Sequence, residues 1–121
     1  MTNRRVVVTG IGVVSSIGIG KDTFWENLIA GKSGIADVTA FDVSNYDIQR
    51  GGEVKDFEPT NYMSKGCAKD IGRASQFGIA ATRMALEDAE LEPLQLTKEK
   101  IAILIGTTMG EGGMIEEIDK H

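Results

Sequence analysis

The chain is poor in the residues that build metal sites and nucleophile–base pairs: it holds one cysteine, Cys67, and one histidine, His121. An internal disulfide is therefore impossible, and no zinc set of the usual His/Cys composition can be assembled. Catalysis by a Ser-His-Asp or Cys-His arrangement would have to use the last residue of the chain. Terminal residues are rarely held rigidly enough for that. Long apolar runs are missing as well, so no membrane span is expected. After Met1-Thr2-Asn3-Arg4-Arg5 only Val6-Val7-Val8 precedes a loop glycine. A secretory signal needs a longer apolar stretch and a cleavage site, which leaves a cytoplasmic start as the expectation. Clusters of Lys and Arg are absent and the net charge is -5, which argues against a nucleic-acid or anionic-membrane surface. There is no internal repeat and no low-complexity tract.

What is present suits one small globular domain: 121 residues, 41% hydrophobic and 26% charged. Eight of its fifteen glycines gather in two loops after apolar runs. Arg5–Thr9 carries three consecutive valines and leads into Gly10, Gly12, Gly18 and Gly20. Ile101–Ile105 leads into Gly106-Thr107-Thr108-Met109-Gly110-Glu111-Gly112-Gly113. Continuous β-branched runs read as strands buried on both faces, as in a parallel sheet. Open α/β sheets place ligands where such strands end.

Between these runs a helix is expected from about Asp22, with Thr23 and Glu26 at capping-box spacing and Gly31 as a left-handed stop. Phe24, Trp25, Leu28 and Ile29 fall on one face, and Trp25 reads as a core anchor. Residues 32–66 are irregular, with a short strand over Glu53–Phe57. Lys69–Glu90 is the strongest helical segment. Ile71, Ala74, Gly78, Ala81 and Ala85 form a small-residue seam suited to close approach by another helix, with Phe77, Ala80 and Met84 beside it. Leu91–Lys100 is a polar linker, and Met114–Asp119 the acidic start of a further helix. Two or three strands and two long helices do not close a parallel sheet, so residues 1–121 read as the beginning of something larger.

Three motifs imitate known chemistry. Gly10-Ile11-Gly12-Val13-Val14-Ser15 imitates a dinucleotide fingerprint, but no second valine- and isoleucine-rich strand ending in an acidic residue follows the first helix. Nucleotide (NAD) binding by a stand-alone α/β domain is therefore a minor alternative. Gly31-Lys32-Ser33 imitates the end of a phosphate loop, yet Glu26 stands where the first glycine belongs. Cys67 precedes a helix, a location that can activate a thiol, but no base or oxyanion donors can be named with it. It reads as an incidental cysteine. Thr107, Thr108 and Met109 are consistent either with an ordinary turn or with the wall of an apolar pocket.

Taken together, these stretches resemble the N-terminal part of the β-ketoacyl-acyl-carrier-protein synthases, elongating type II enzymes and polyketide ketosynthases. The opening Arg4-Arg5-Val6-Val7-Val8-Thr9-Gly10-Ile11-Gly12-Val13-Val14-Ser15 looks like that family's first strand and loop. Trp25, Leu28, Gly31 and Ser33-Gly34-Ile35 match its Trp-x-x-Leu-x-x-Gly-x-Ser-Gly-Ile pattern. Gly52–Phe57, Arg73–Ala89 and Ile105–Glu111 resemble its next strand, its long buried helix and the loop lining its acyl pocket. Ser15-Ser16-Ile17-Gly18, Gly72 and Thr107-Thr108 depart from its commoner residues, and the last implies a narrower or specialised pocket.

The resemblance implies an α/β thiolase-like fold of αβαβα layers, of which residues 1–121 are the beginning of the N-terminal half. It implies acyl transfer to a cysteine and decarboxylative Claisen condensation with malonyl-acyl carrier protein. The reacting cysteine and two histidines lie later in the family's order, so no catalytic residue is expected in this chain. Cys67 and His121 match none of the three. Only pocket roles carry over: Met109 as an apolar gate to the acyl chain, flanked by Thr108 and Gly110. Neither a metal nor a directly bound cofactor is expected, only the phosphopantetheine arm of acyl carrier protein. The partners implied are that carrier, the remainder of the ketosynthase, and a second subunit in a homodimer or a ketosynthase heterodimer. A non-catalytic chain-length-factor-like subunit is the first alternative.

Overall fold

The computed structural model describes residues 4–92 and 101–112. Strand β1 (Val14–Ser15) pairs antiparallel with β2 (Gly18–Ile19), and helix α1 (Lys21–Ile29) follows at once. A second two-residue ladder joins β3 (Ala36–Asp37) to β4 (Arg50–Gly51). A single 3-10 turn at Pro59–Asn61 leads to α2 (Lys65–Asp70) and then to α3 (Arg73–Asp88).

The small-residue seam of α3 is real, but what approaches it is extended backbone and not a helix. A Cβ on Gly12 would collide with the carbonyl of Ala81, and one on Gly10 with the carbonyl of Ala85, while also lying 2.8 Å from Ala89 Cβ. With no side chain on the glycines and only methyl groups on the helix, main chain packs on main chain. The contact is closed by the Ile11 amide, which donates to Asp88 Oδ2 at 2.9 Å, and by an ion pair from Lys21 Nζ to Asp88 Oδ1. The N-terminal half of the same stripe, Ala74 and Gly78, faces an open groove.

A small aromatic core sits on another side of α3. Phe57 stacks on Tyr62 at 5.7 Å and meets Phe77 edge-on at 4.9 Å, while Ala80 is wholly buried. The Arg73 guanidinium lies over both phenyl rings and donates to the Val54 carbonyl at 2.9 Å, a cation–π arrangement with a polar anchor. Arg83 donates to the Tyr62 carbonyl at 2.7 Å, fixing the 3-10 turn to the helix.

Several expectations change. Arg5–Thr9 and Ile101–Ile105 carry no strand pairing among the described residues, and they are exposed, Val6 to 94% and Leu104 to 89%. A strand buried on both faces needs neighbouring strands and a layer on each side; the described residues do not supply them. For the same reason no parallel sheet forms among the described residues. Trp25 is 60% exposed and anchors no core. The N-cap of α1 is Gly20, at φ 84°, so Thr23 lies inside the helix and its capping box does not form. Glu53–Phe57 is not a strand. Asp56 turns left-handed at φ 58°, and Glu53 instead accepts hydrogen bonds from the Thr39 and Ala40 amides, bracing the β3–β4 ladder. The helix expected over Lys69–Glu90 is two helices: Ile71 and Gly72 are extended, and Gln76 Nε2 turns back to the carbonyls of Ala68 and Ile71 at 2.8 and 3.3 Å. Gly31 does stop α1, at φ 66°, with the Lys32 amide reaching back to the Asn27 carbonyl. The linker beyond Glu92 and the helix expected from Met114 lie outside the described residues.

Replacing Gly12 by alanine tests the main-chain contact. Because the obstruction is backbone, the strain has no flexible side chain to absorb it, and a loss of roughly 1–3 kcal/mol is expected in urea unfolding. Gly78→Ala, where an added Cβ meets nothing within 4 Å, is the matched control and should stabilise or be neutral.

Candidate functional site

The glycine turn after Ile105 is shaped by its own residues. The Thr107 hydroxyl accepts the Gly110 amide at 2.9 Å, closing a four-residue loop with Thr108 and Met109 at its tip. Gly110 leaves that loop at φ 56°, a left-handed conformation that glycine adopts without Cβ strain. The chain then delivers Glu111 to the N-terminus of α3. There the Ser75 amide donates to Glu111 Oε1 at 2.7 Å and the Ala74 amide to Oε2 at 3.3 Å. These are two of the helix's unpaired first-turn donors, and its N-cap, Gly72, has no side chain to satisfy them. A carboxylate there also meets the positive end of the helix dipole.

The turn and α3 flank an open groove of about 1430 Å³. From α3 come Ala74, Gly78, Thr82 and Leu86; from the other side Ile103–Gly106, Thr107, Gly110 and Glu111. The groove's lining surface is mostly apolar, with Arg83, Glu87, Glu90 and Glu92 also lining it, and its volume exceeds the roughly 300–1,000 Å³ of a pocket enclosing a small ligand. Of the three residues expected to form the acyl pocket, Gly110 lines this groove. Thr108 and Met109 stand at the exposed tip beside it, Met109 at 78% exposure. Glu111 was not legible as a site residue. Its only sequence signal is an acidic residue between two glycines, and its partners lie 36 and 37 positions away.

The imitation motifs acquire other roles. Gly10 and Gly12 pack closely against α3, and α1 begins only at Lys21. Cys67 lies in the first turn of α2, where its amide donates to Ser64 Oγ at 3.2 Å; it is half-buried and does not line the groove. His121 lies outside the described residues. Among the described residues no group of three His, Cys, Asp or Glu side chains could hold a metal ion, and no helix is long and apolar enough to cross a membrane.

A family model described as the beta-ketoacyl synthase N-terminal domain matches residues 3–121. The 3-oxoacyl-[acyl-carrier-protein] synthase 2 of Synechocystis sp. is 37% identical over 97% of this chain. The protein of the same name from Vibrio harveyi is 40% identical over 96% of this chain. The chain spans 28% of the length of each. A solved structure of the ishigamide ketosynthase/chain length factor aligns with a TM-score of 0.90 at 41% identity, covering 97% of this chain and 29% of that one.

Two carboxylates that fasten this region are held below their ordinary values. Asp88 is lowered from 3.8 by the Lys21 side-chain hydrogen bond first and the Ile11 amide next. Glu111 is lowered from 4.5 by side-chain hydrogen bonding from Ser75 first, then by the Ser75 and Ala74 amides. A folded value below the unfolded one stabilises the fold fully above the unfolded value, and that contribution is lost as pH falls through the folded one. Stability should therefore fall on acidification below pH 4.5, and Asp88→Asn with Glu111→Gln should flatten that limb in unfolding measured from pH 6 downward. An unchanged acid limb in the double variant would remove these two groups as its cause.

Proposed function

The chain belongs to the β-ketoacyl synthase family, through its N-terminal domain, and from that premise we propose that it is part of a 3-oxoacyl-[acyl-carrier-protein] synthase of fatty-acid or polyketide synthesis. The observation that carries the reading is the family match over nearly the whole chain, together with 37–40% identity to synthases of that name. The complete protein would adopt the thiolase-like layering, act in the cytoplasm as a homodimer, and receive its substrates from acyl carrier protein on a phosphopantetheine arm, with no other cofactor.

The reaction proposed has two stages. A cysteine thiolate takes the acyl group from the carrier's thioester and releases the carrier thiol. Malonyl-acyl carrier protein then loses carbon dioxide; the electron pair left on its α-carbon attacks the acyl-cysteine, forming the new carbon–carbon bond and freeing the thiolate. Oxyanion stabilisation is needed at both thioester carbonyls. The one cysteine and one histidine here match none of those groups in the family's order, so residues 1–121 contribute substrate space and no reacting atom.

Within that space Met109 is the gate, with Thr108 and Gly110 beside it. Gly110 lines the apolar groove, and Met109 is one residue before it on the same closed loop. An unbranched thioether side chain can fill the end of an acyl channel and set its length by volume. A second reading is supported by the likeness to the ishigamide ketosynthase/chain length factor: a non-catalytic subunit that shapes the channel of an active ketosynthase. The gate role of Met109 is the same in both.

In the complete synthase Met109→Gly should admit longer acyl chains and Met109→Trp should reject chains accepted now. The ratio of adjacent lengths should shift about tenfold or more, since one methylene in an apolar pocket discriminates by roughly 10–200-fold. Product lengths read by mass spectrometry, unchanged in both variants, would sink the gate. Purified residues 1–121 are expected to condense nothing, and any condensation by them would overturn their assignment as a non-reacting segment.

A further inference from the structure

Helix α3 begins without a cap of its own. Gly72 is extended, at φ -76° and ψ 172°, and offers no side-chain acceptor. The cap comes instead from Glu111, whose two oxygens accept the Ser75 and Ala74 amides at 2.7 and 3.3 Å. Among the described residues no salt bridge involves Glu111, so its carboxylate is held at the first turn of α3 by Ser75 and the Ala74 amide. The nearest cation on the helix, Arg73, is committed to the faces of Phe57 and Phe77 and to the Val54 carbonyl. Glu111 directly follows Gly110, whose amide closes the loop carrying Met109. Ala74 and Ser75 from α3 and Thr107, Gly110 and Glu111 from the loop line the same groove, so the contact joins its two sides.

We infer that Glu111 is a positioning residue for acyl-length selection: by capping α3 it ties the Thr107–Gly110 loop, and with it Met109, to a fixed place on the groove wall. This rests on the reading of Met109 as the gate. The hydrogen bonds couple two elements, so losing them loosens both. The helix end loses its acceptor and the loop loses its anchor. A substitute acceptor at position 72 would restore the first and leave the second undone, because an aspartate there satisfies the same amides from within the helix. The extended backbone of Gly72 is open to any residue.

The experiment compares Glu111→Ala, Glu111→Gln and the double variant Gly72→Asp with Glu111→Ala in the complete synthase. It reads thermal stability, hydrogen exchange of the loop and helix amides, and product chain length. Glu111→Ala should speed exchange at Thr108, Met109 and Gly110 and at the start of α3 by roughly fivefold, the scale of a lost cap, and broaden the product lengths. Glu111→Gln keeps an amide oxygen as acceptor and should lie between the alanine variant and wild type. The double variant should recover stability and slow exchange at Ala74 and Ser75, yet keep the fast loop and the broadened products. Recovery of the loop and of product length in the double variant would reduce Glu111 to a helix cap and overturn the inference. So would unaltered loop exchange in Glu111→Ala, or unaltered product length there while the Met109 variants shift it. If the loop loosens but product length responds neither to Glu111 nor to Met109, the tether stands and the gate falls.

Discussion

Everything described here hangs on how closely backbone can approach α3. An ordinary side chain on either partner would hold two main chains several ångströms apart. Gly10 and Gly12 on one partner, with Ala81, Ala85 and Ala89 on the other, remove that spacer. Dispersion between atoms in contact is small per pair and large in sum, so a contact with no spacer gains many pairs at once. The approach also brings Asp88 within reach of the Ile11 amide and of Lys21, one carboxylate holding the N-terminal segment and the start of α1 together. Position along the helix then follows: each glycine must meet a small residue, and a slip by one residue puts Met84 or Leu86 where Ala85 belongs.

The same helix organises the opposite end of the site by a different force. Its C-terminal half is held by main-chain packing and Asp88, its N-terminal half by the aromatic core and by hydrogen bonds to a loop. At that end Arg73 and Glu111 divide the work. The cation takes the aromatic faces of Phe57 and Phe77, while the anion takes the helix amides. Were the two to pair with each other, the first turn of α3 would lose its cap and the aromatic core its lid. The break at Ile71-Gly72 is part of this arrangement. It exposes the Ala74 and Ser75 amides to the groove, which a continuous helix from Lys69 would have consumed internally.

Legibility in the sequence followed the range of the interaction. The left-handed stop at Gly31 and the cap of α2 by Ser64 need only residues a few positions apart, and Gly31 stops α1 where its place after the apolar face predicts. The alanine seam was legible as a seam, because helical periodicity is local, but its partner was not, because Gly10 and Gly12 lie some seventy residues away. Burial was the least legible. Three valines in a row state that a segment is built to be covered, and nothing in them says by what. Val6–Val8 and Ile103–Ile105 lie open among the described residues, in a chain spanning 28% of its relatives' length. Glu111 was invisible for a related reason: a capping box has a spacing to search for, and a cap delivered from 36 residues away has none.

That last gap bears on how the proposed gate at Met109 would measure length. An apolar gate discriminates by volume, and a single methylene is worth about 1–3 kcal/mol only if the wall does not move. A gate on a free loop gives way before it rejects, since a loop closed by one hydrogen bond, here Thr107 to Gly110, yields at a cost similar to the strain the extra methylene imposes. Selectivity is then set by the weaker of two quantities, the clash at Met109 and the resistance of its loop. Enlarging the side chain raises the first and leaves the second unchanged. Anchoring the loop to the first turn of a sixteen-residue helix raises the second, and a carboxylate spanning two amides resists displacement in more than one direction. On the proposed reading of Met109 as the gate, the length limit would be a property of Met109 together with its anchorage, and a substitution that never touches the acyl chain would move it.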